Sequence, residues 1–160
     1  MRYMMVWLAL ASVVLLGCGD AAALDGSLAQ EIDLAYERST LEVLPSSFSL
    51  RFLRARGTQW DTPLKVSVNV SDQPNLQGLM MLDLAEVLDG GIQRGSVTRN
   101  VYQDEHTTFP PILRGTFSLT ASPGAAKTVE GRISITFEPG ADFASGRAVF
   151  GPFAAEVVAP

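Results

Sequence analysis

"LKVSVNV", Leu64 to Val70, alternates apolar and polar residues without a slip. Successive side chains of an extended strand point to opposite faces, so Leu64, Val66, Val68 and Val70 share one face and Lys65, Ser67 and Asn69 the other. A helical period of 3.6 would mix the two sets around the axis. The stretch therefore reads as a half-buried strand of an antiparallel sheet, packed on one side and wet on the other.

The same period extends outward from this segment. "FSLRFLRA" places Phe48, Leu50 and Phe52 together; "EIDLAYE" offers Ile32, Leu34 and Tyr36; "TLEVL" adds Leu41 and Val43. Pro45, Pro63, Pro74, Pro110 and Pro111 are expected in the gaps, where a missing N–H does no harm to a ladder. In the middle, "GLMMLDL" (Gly78 to Leu84) reads as a strand to about Leu82, followed by a turn through "DGG" and "RGS". A single helical turn competes there, because Asp83 and Glu86 have capping-box spacing. "SVTRNVY" (Ser96 to Tyr102) gives another strand, with Val97, Arg99 and Val101 on one side.

Three segments of the C-terminal third repeat Gly-x-apolar-x-apolar-x-apolar: "GTFSLTA", "GRISITF" and "GPFAAEV", opening at Gly115, Gly131 and Gly151. Their inward sets are Phe117, Leu119 and Ala121; Ile133, Ile135 and Phe137; and Phe153, Ala155 and Val157. The glycines are expected to relieve crowding where strands bend, rather than to line a ligand surface. Eight or nine strands with almost no helix indicate an all-β domain, an antiparallel β-sandwich or a partly closed barrel. Phe48, Phe52, Val66, Val68, Phe117, Ile135 and Phe153 are expected at the centre of its core.

The N-terminus is built differently. After Arg2 no charge occurs until Asp20, and Met4 to Leu16 is apolar apart from Ser12. A basic residue, about a dozen apolar residues and then small ones is the layout of a secretory signal peptide. It is short for a spanning helix, which needs roughly 20 apolar residues. The only cysteine of the chain follows directly, in "LLGC" (Leu15, Leu16, Gly17, Cys18). This tetrapeptide resembles the lipobox of bacterial lipoprotein precursors. The resemblance implies cleavage between Gly17 and Cys18, a diacylglycerol thioether on Cys18, and acylation of the new amino group by a chain such as palmitate. Two or three buried acyl chains hold a protein stably at a membrane where one does not.

Gly19 rather than Asp directly after Cys18 favours an outer over an inner membrane under the sorting pattern of such lipoproteins. Two other readings compete: an A-x-A cut after "AAA" (Ala21 to Ala23) that releases a soluble protein beginning at Leu24, and an uncleaved anchor. On the lipoprotein reading, residues 1–17 are the signal peptide. Residues 18–27 carry the lipid on a small, polar tether, and 28–160 form one β-rich domain.

Loss of residues 1–17 removes Arg2, so Lys and Arg fall from 12 to 11 against 17 Asp and Glu, and the net charge moves from −5 to −6. An acidic chain has no basic footprint for nucleic acid and is not drawn to anionic lipid by charge. Membrane attachment then depends on the lipid anchor.

Signatures of catalysis are weak. His106, the single histidine, sits in "QDEHTTFPP" beside Asp104 and Glu105, with no second His or Cys to complete a zinc set. There is no G-x-S-x-G elbow, P-loop, EF-hand loop or dinucleotide fingerprint. "RFLRARGTQW" gathers Arg51, Arg54 and Arg56 near Trp60, either as a site for an anionic or sugar ligand or as arginines paired with local acids; the second reading is preferred. "TFPPIL" (Thr108 to Leu113) reads as a polyproline recognition segment or a rigid connector. "NVS" at Asn69 matches a glycosylation acceptor, which would be idle in a bacterial lipoprotein.

The sequence thus leads to a lipid-anchored cell-envelope protein with a non-enzymatic binding or structural domain. No cofactor and no metal are expected, and its protein or small-molecule partner is unspecified. A calycin-like carrier of a small apolar ligand is one alternative, and a hydrolase with an unrecognised carboxylate site is another.

Overall fold

The alternation over Leu64–Val70 becomes the inner and outer faces of a long strand at the heart of a single curved sheet. The computed structural model describes residues 22–70, 80–102, 108–124 and 126–160. Their strands are β1 (Ala22–Ala23), β2 (Ala35–Tyr36), β3 (Arg38–Leu44), β4 (Ser47–Arg56), β5 (Gln59–Asn69), β6 (Met80–Asp83), β7 (Gly95–Asn100), β8 (Ile112–Leu119), β9 (Thr128–Phe137) and β10 (Ala148–Val158). Eight of them form one sheet in the order β6-β8-β9-β10-β3-β4-β5-β7, while β1 and β2 make a small separate ribbon. The fold is all-β. Every neighbouring pair is antiparallel except β10–β3, which runs parallel over Ala155–Val158 and Ser39–Glu42.

The large sheet curls until its two ends nearly meet. Register slips in β4–β5, β5–β7 and β8–β9 supply bends, since an extra residue in one strand increases local twist. Pro63 is a correction to the expected placement of prolines between strands. It lies inside β5, at the slip between Thr62 and Lys65 where pairing with β7 is interrupted, so its missing N–H leaves no gap in the ladder.

Closure rests on a few groups. Leu84 donates its N–H to the Gly115 carbonyl and accepts from the Gly95 N–H, both at 2.9 Å, and so links β8 to β7. Beside it the Gln93 amide replaces a strand: its Nε2 donates to the Ile112 carbonyl at 2.6 Å, and its Oε1 accepts from the Ile112 N–H at 3.3 Å. The result is a barrel-like sheet, nearly closed.

All seven residues expected at the core centre are buried. Tyr36 meets Phe52 edge-on with ring centroids 4.8 Å apart, Phe52 meets Phe153, and Phe153 and Phe48 both stack on Phe117. Each ring moved wholly from water contributes roughly 1.5–3 kcal/mol. The three C-terminal glycines lie inside strands, each three residues after the strand starts, rather than at strand openings. A Cβ on Gly131 would overlap the Ser118 carbonyl oxygen and stand 2.5 Å from Phe153 Cζ, and one on Gly115 would stand 3.0 Å from the Ser134 carbonyl oxygen. Crowding accounts for both. Ala121 falls outside β8, and Val157 is only partly buried.

In the middle, β6 ends at Asp83, whose carboxylate accepts the Ala85 N–H at 2.8 Å; the turn reading holds, and the competing helical turn does not form. Glu86, the other half of that spacing, instead takes two bonds from Arg94, at 2.6 and 2.8 Å.

The segment read as a tether belongs to the packed body from Ala22 onward. β10 pairs with β9 along Ala148–Glu156, but on its other edge β3 covers only Ala155–Val158. The N-terminal segment fills the remaining seam. Asp25 exchanges two backbone hydrogen bonds with Phe150, each 2.9 Å, and Ser27 Oγ accepts the Ala148 N–H. Leu24 and Leu28 enter the core. Gly26 adopts φ 114° against the Ala148 backbone, a conformation and a spacing open only to glycine. No helix of the described residues is long and apolar enough to cross a membrane.

Candidate functional site

One end of the barrel collects the arginines and exposed aromatic rings. β2 continues into Glu37, whose N–H donates to the Leu53 carbonyl at 2.8 Å and whose carboxylate accepts the Ala55 N–H at 3.3 Å. The β4–β5 hairpin is thereby fixed beside the β1–β2 ribbon. Arg38, two residues beyond Tyr36, lies over the Trp60 ring at 4.8 Å, and Arg56 lies over the Tyr102 ring at 4.6 Å. Trp60 is 49% exposed and Tyr102 58%. Arg54 is ion-paired with Asp33, and Arg56 stands 3.9 Å from buried Asp61, which also accepts the Tyr102 N–H at 3.2 Å. Arg51 pairs with Glu42 at 2.9 Å.

Each of the three arginines of "RFLRARGTQW" meets an acid, of which only Asp61 lies within the same stretch of chain or next to it, and the ring of Trp60 is covered by Arg38 from a different strand. The carboxyl of Asp33 is held below the usual range, first by the Ala35 N–H bond and then by the Arg54 guanidinium, against an opposing effect of burial. Burial raises the Tyr36 hydroxyl above its ordinary value of 10.0.

A groove of about 690 Å³ crosses the outer faces of β8, β9 and β10. Ser118, Arg132 and Pro152 stand abreast on the three strands, and Glu130 and Ala154 form the next row. Gly131 and Phe153 lie between these rows, and Tyr36 also borders the groove. Pro152 sits between Phe150, held by Asp25, and Ala155, where pairing with β3 begins, so no ladder partner is lost to its missing N–H. Among the described residues neither Arg132 nor Glu130 has an ion-pair partner. The groove offers one cation, one carboxylate, two hydroxyls and an apolar floor. The hydroxyls of Ser118 and Thr120 donate to the carbonyls of Arg132 and Glu130, at 3.4 and 3.0 Å.

Other singled-out residues separate. Gly17, Cys18, Asp104, Glu105 and His106 lie outside the described residues. "TFPPIL" is a connector: Phe109 is buried and stacks on Phe137 at 5.2 Å, and Ile112 is buried at the start of β8. The Asn69 carbonyl accepts from Arg94 Nη1 at 3.0 Å, and Asn69 N–H donates to the Arg94 carbonyl at 2.7 Å, which places it within a bonded strand end. Arg94 itself, 2% exposed and paired with Glu86, escaped the sequence reading, because an arginine in a turn reads as solvated. The groove escaped it too, since its outer-face serines and threonines are ordinary for wet strand positions. Among the described residues no group of three His, Cys, Asp or Glu is placed to hold a metal ion.

No protein-family model, no curated protein and no solved structure matches the chain.

Proposed function

We propose that this chain is a lipoprotein of the bacterial cell envelope, anchored through Cys18, whose barrel-like domain works as a non-enzymatic binding module. The observation that carries the reading is the junction of two features: the lipobox-like Leu15-Leu16-Gly17-Cys18 and a domain in which Ala22, four residues later, is already paired with Tyr36. So short a connection suits a body held close to a bilayer. The outer-face groove, with Arg132, Glu130, Ser118 and Thr120 along its lining, is the surface on which a ligand or partner would be recognised. An interior filled by Phe48, Phe52, Phe117 and Phe137 favours binding on this outer face over a calycin-like internal cavity.

The test is fractionation of cells expressing the chain and its Cys18→Ala variant. The wild-type protein is expected with the membranes, partitioning into detergent, and the variant in the soluble fraction or as uncleaved precursor. Wild-type protein recovered in the soluble fraction refutes the anchor.

A further inference from the structure

Building on the Cys18 anchor just proposed, we infer that the end of the barrel carrying Trp60 and Tyr102 docks on the surface of the bilayer. Four residue steps separate Cys18 from Ala22, at most about 14 Å of extended chain. Ala22 is fixed by pairing with Tyr36, two residues from Arg38, whose guanidinium covers the Trp60 ring. The opposite end of the body, the β3–β4 turn at Pro45–Ser46, lies beyond the seven residues of β3, about 20 Å farther along the strand. A lipid on Cys18 therefore holds the ribbon end, and not the β3–β4 turn, against the headgroups.

The residues at that end have the chemistry of a membrane–water boundary. Trp60 and Tyr102 are exposed, amphipathic rings, the types that settle at the headgroup level with an apolar body and a polar edge. Arg38 and Arg56 lie over these rings with their guanidinium groups positioned to meet lipid phosphates. Phe150, exposed and paired with Asp25 three residues after Ala22, adds a third ring near the tether. The acids Asp33, Glu37 and Asp61 balance the arginines, so charge alone does not bring this surface to a membrane. The acyl chains supply the local concentration, and the rings set the orientation.

Trp60 is the only tryptophan after residue 17, so its emission reads the docking directly. Protein purified from membranes is reconstituted into vesicles of phosphatidylethanolamine and phosphatidylglycerol with brominated acyl chains, and its mass is recorded on the same sample. A companion variant moves the reporter: Trp60→Phe combined with Ser46→Trp at the β3–β4 turn. The expected result is quenching and a shift to shorter wavelength for Trp60, with the tryptophan introduced by Ser46→Trp unquenched and open to an aqueous quencher. Acylated protein whose Trp60 is unquenched, or quenched no more than the reporter at the far turn, overturns the docking and leaves the anchor standing. Protein without acyl mass overturns both.

Discussion

Replacing Gln93 by alanine should loosen the barrel where the two ends of its sheet meet. The Gln93 amide makes two hydrogen bonds to the backbone of Ile112, at 2.6 and 3.3 Å, and Ile112 is 2% exposed. Each intramolecular bond contributes roughly 0.5–1.5 kcal/mol net, and a buried backbone group left unpaired costs about 1–3 kcal/mol. Since Gln93 is only half-buried, water can partly replace its amide, which places the expected loss at about 2 kcal/mol. With a urea slope of about 2 kcal/mol/M, the unfolding midpoint should fall by about 1 M with the slope unchanged.

Gln93→Glu sharpens the test. At neutral pH its carboxylate can still accept the Ile112 N–H but repels the Ile112 carbonyl, so it should lose about as much as alanine. Below the carboxyl pKa, near pH 4, it regains a donor, and the gap to wild type should narrow. A Gln93→Ala loss smaller than about 0.5 kcal/mol, the range of an ordinary surface change, would refute the role given to this amide in closure.

Three further substitutions probe other parts of the account. Gly131→Ala forces a methyl against the Ser118 carbonyl oxygen and the Phe153 ring, and should lower stability by about 1–3 kcal/mol or more; Ser134→Ala, facing outward on the same strand, should change denaturant midpoints little. Phe117→Ala removes the ring on which Phe48 and Phe153 stack and should cost about 3–5 kcal/mol in the same assay. Asp33 has a folded pKa below its unfolded one, so its contribution is present above about pH 4 and fades as pH falls through the folded value. Asp33→Asn should therefore flatten the acid limb of a stability–pH profile, by no more than the ~0–1 kcal/mol of an exposed pair, and leave stability above pH 5 otherwise parallel to wild type.

How much of this was legible beforehand depended on whether a feature is local. The alternation of Leu64 to Val70 and of Phe48 to Phe52 predicts strands, because the pleat forces the pattern, and those residues are buried as expected. Arg99, placed on the same side as Val97, is indeed buried beside it. What closes the barrel is non-local. Gln93 lies 19 residues from Ile112, and nothing in its neighbourhood marks its amide as a substitute for a strand. Ala22 to Ser27 read as a tether because small and polar residues are common to linkers and to tight packing alike; only the seam beside β10 distinguishes them.

The candidate site divides in the same way. Sequence collects Arg51, Arg54, Arg56 and Trp60, but the acids that pair with the arginines come from the β1–β2 region, β3 and β5, and the cation over Trp60 is Arg38. The groove is formed by three outer faces brought abreast, and its residues carry no pattern along the chain.

Intact-mass analysis of protein purified from membranes tests the anchor at its source. The expected chain begins at Cys18 and carries the mass of a diacylglycerol with an added acyl group, both lost in Cys18→Ala. A chain beginning at Leu24 without lipid, or a free thiol on Cys18, would contradict it.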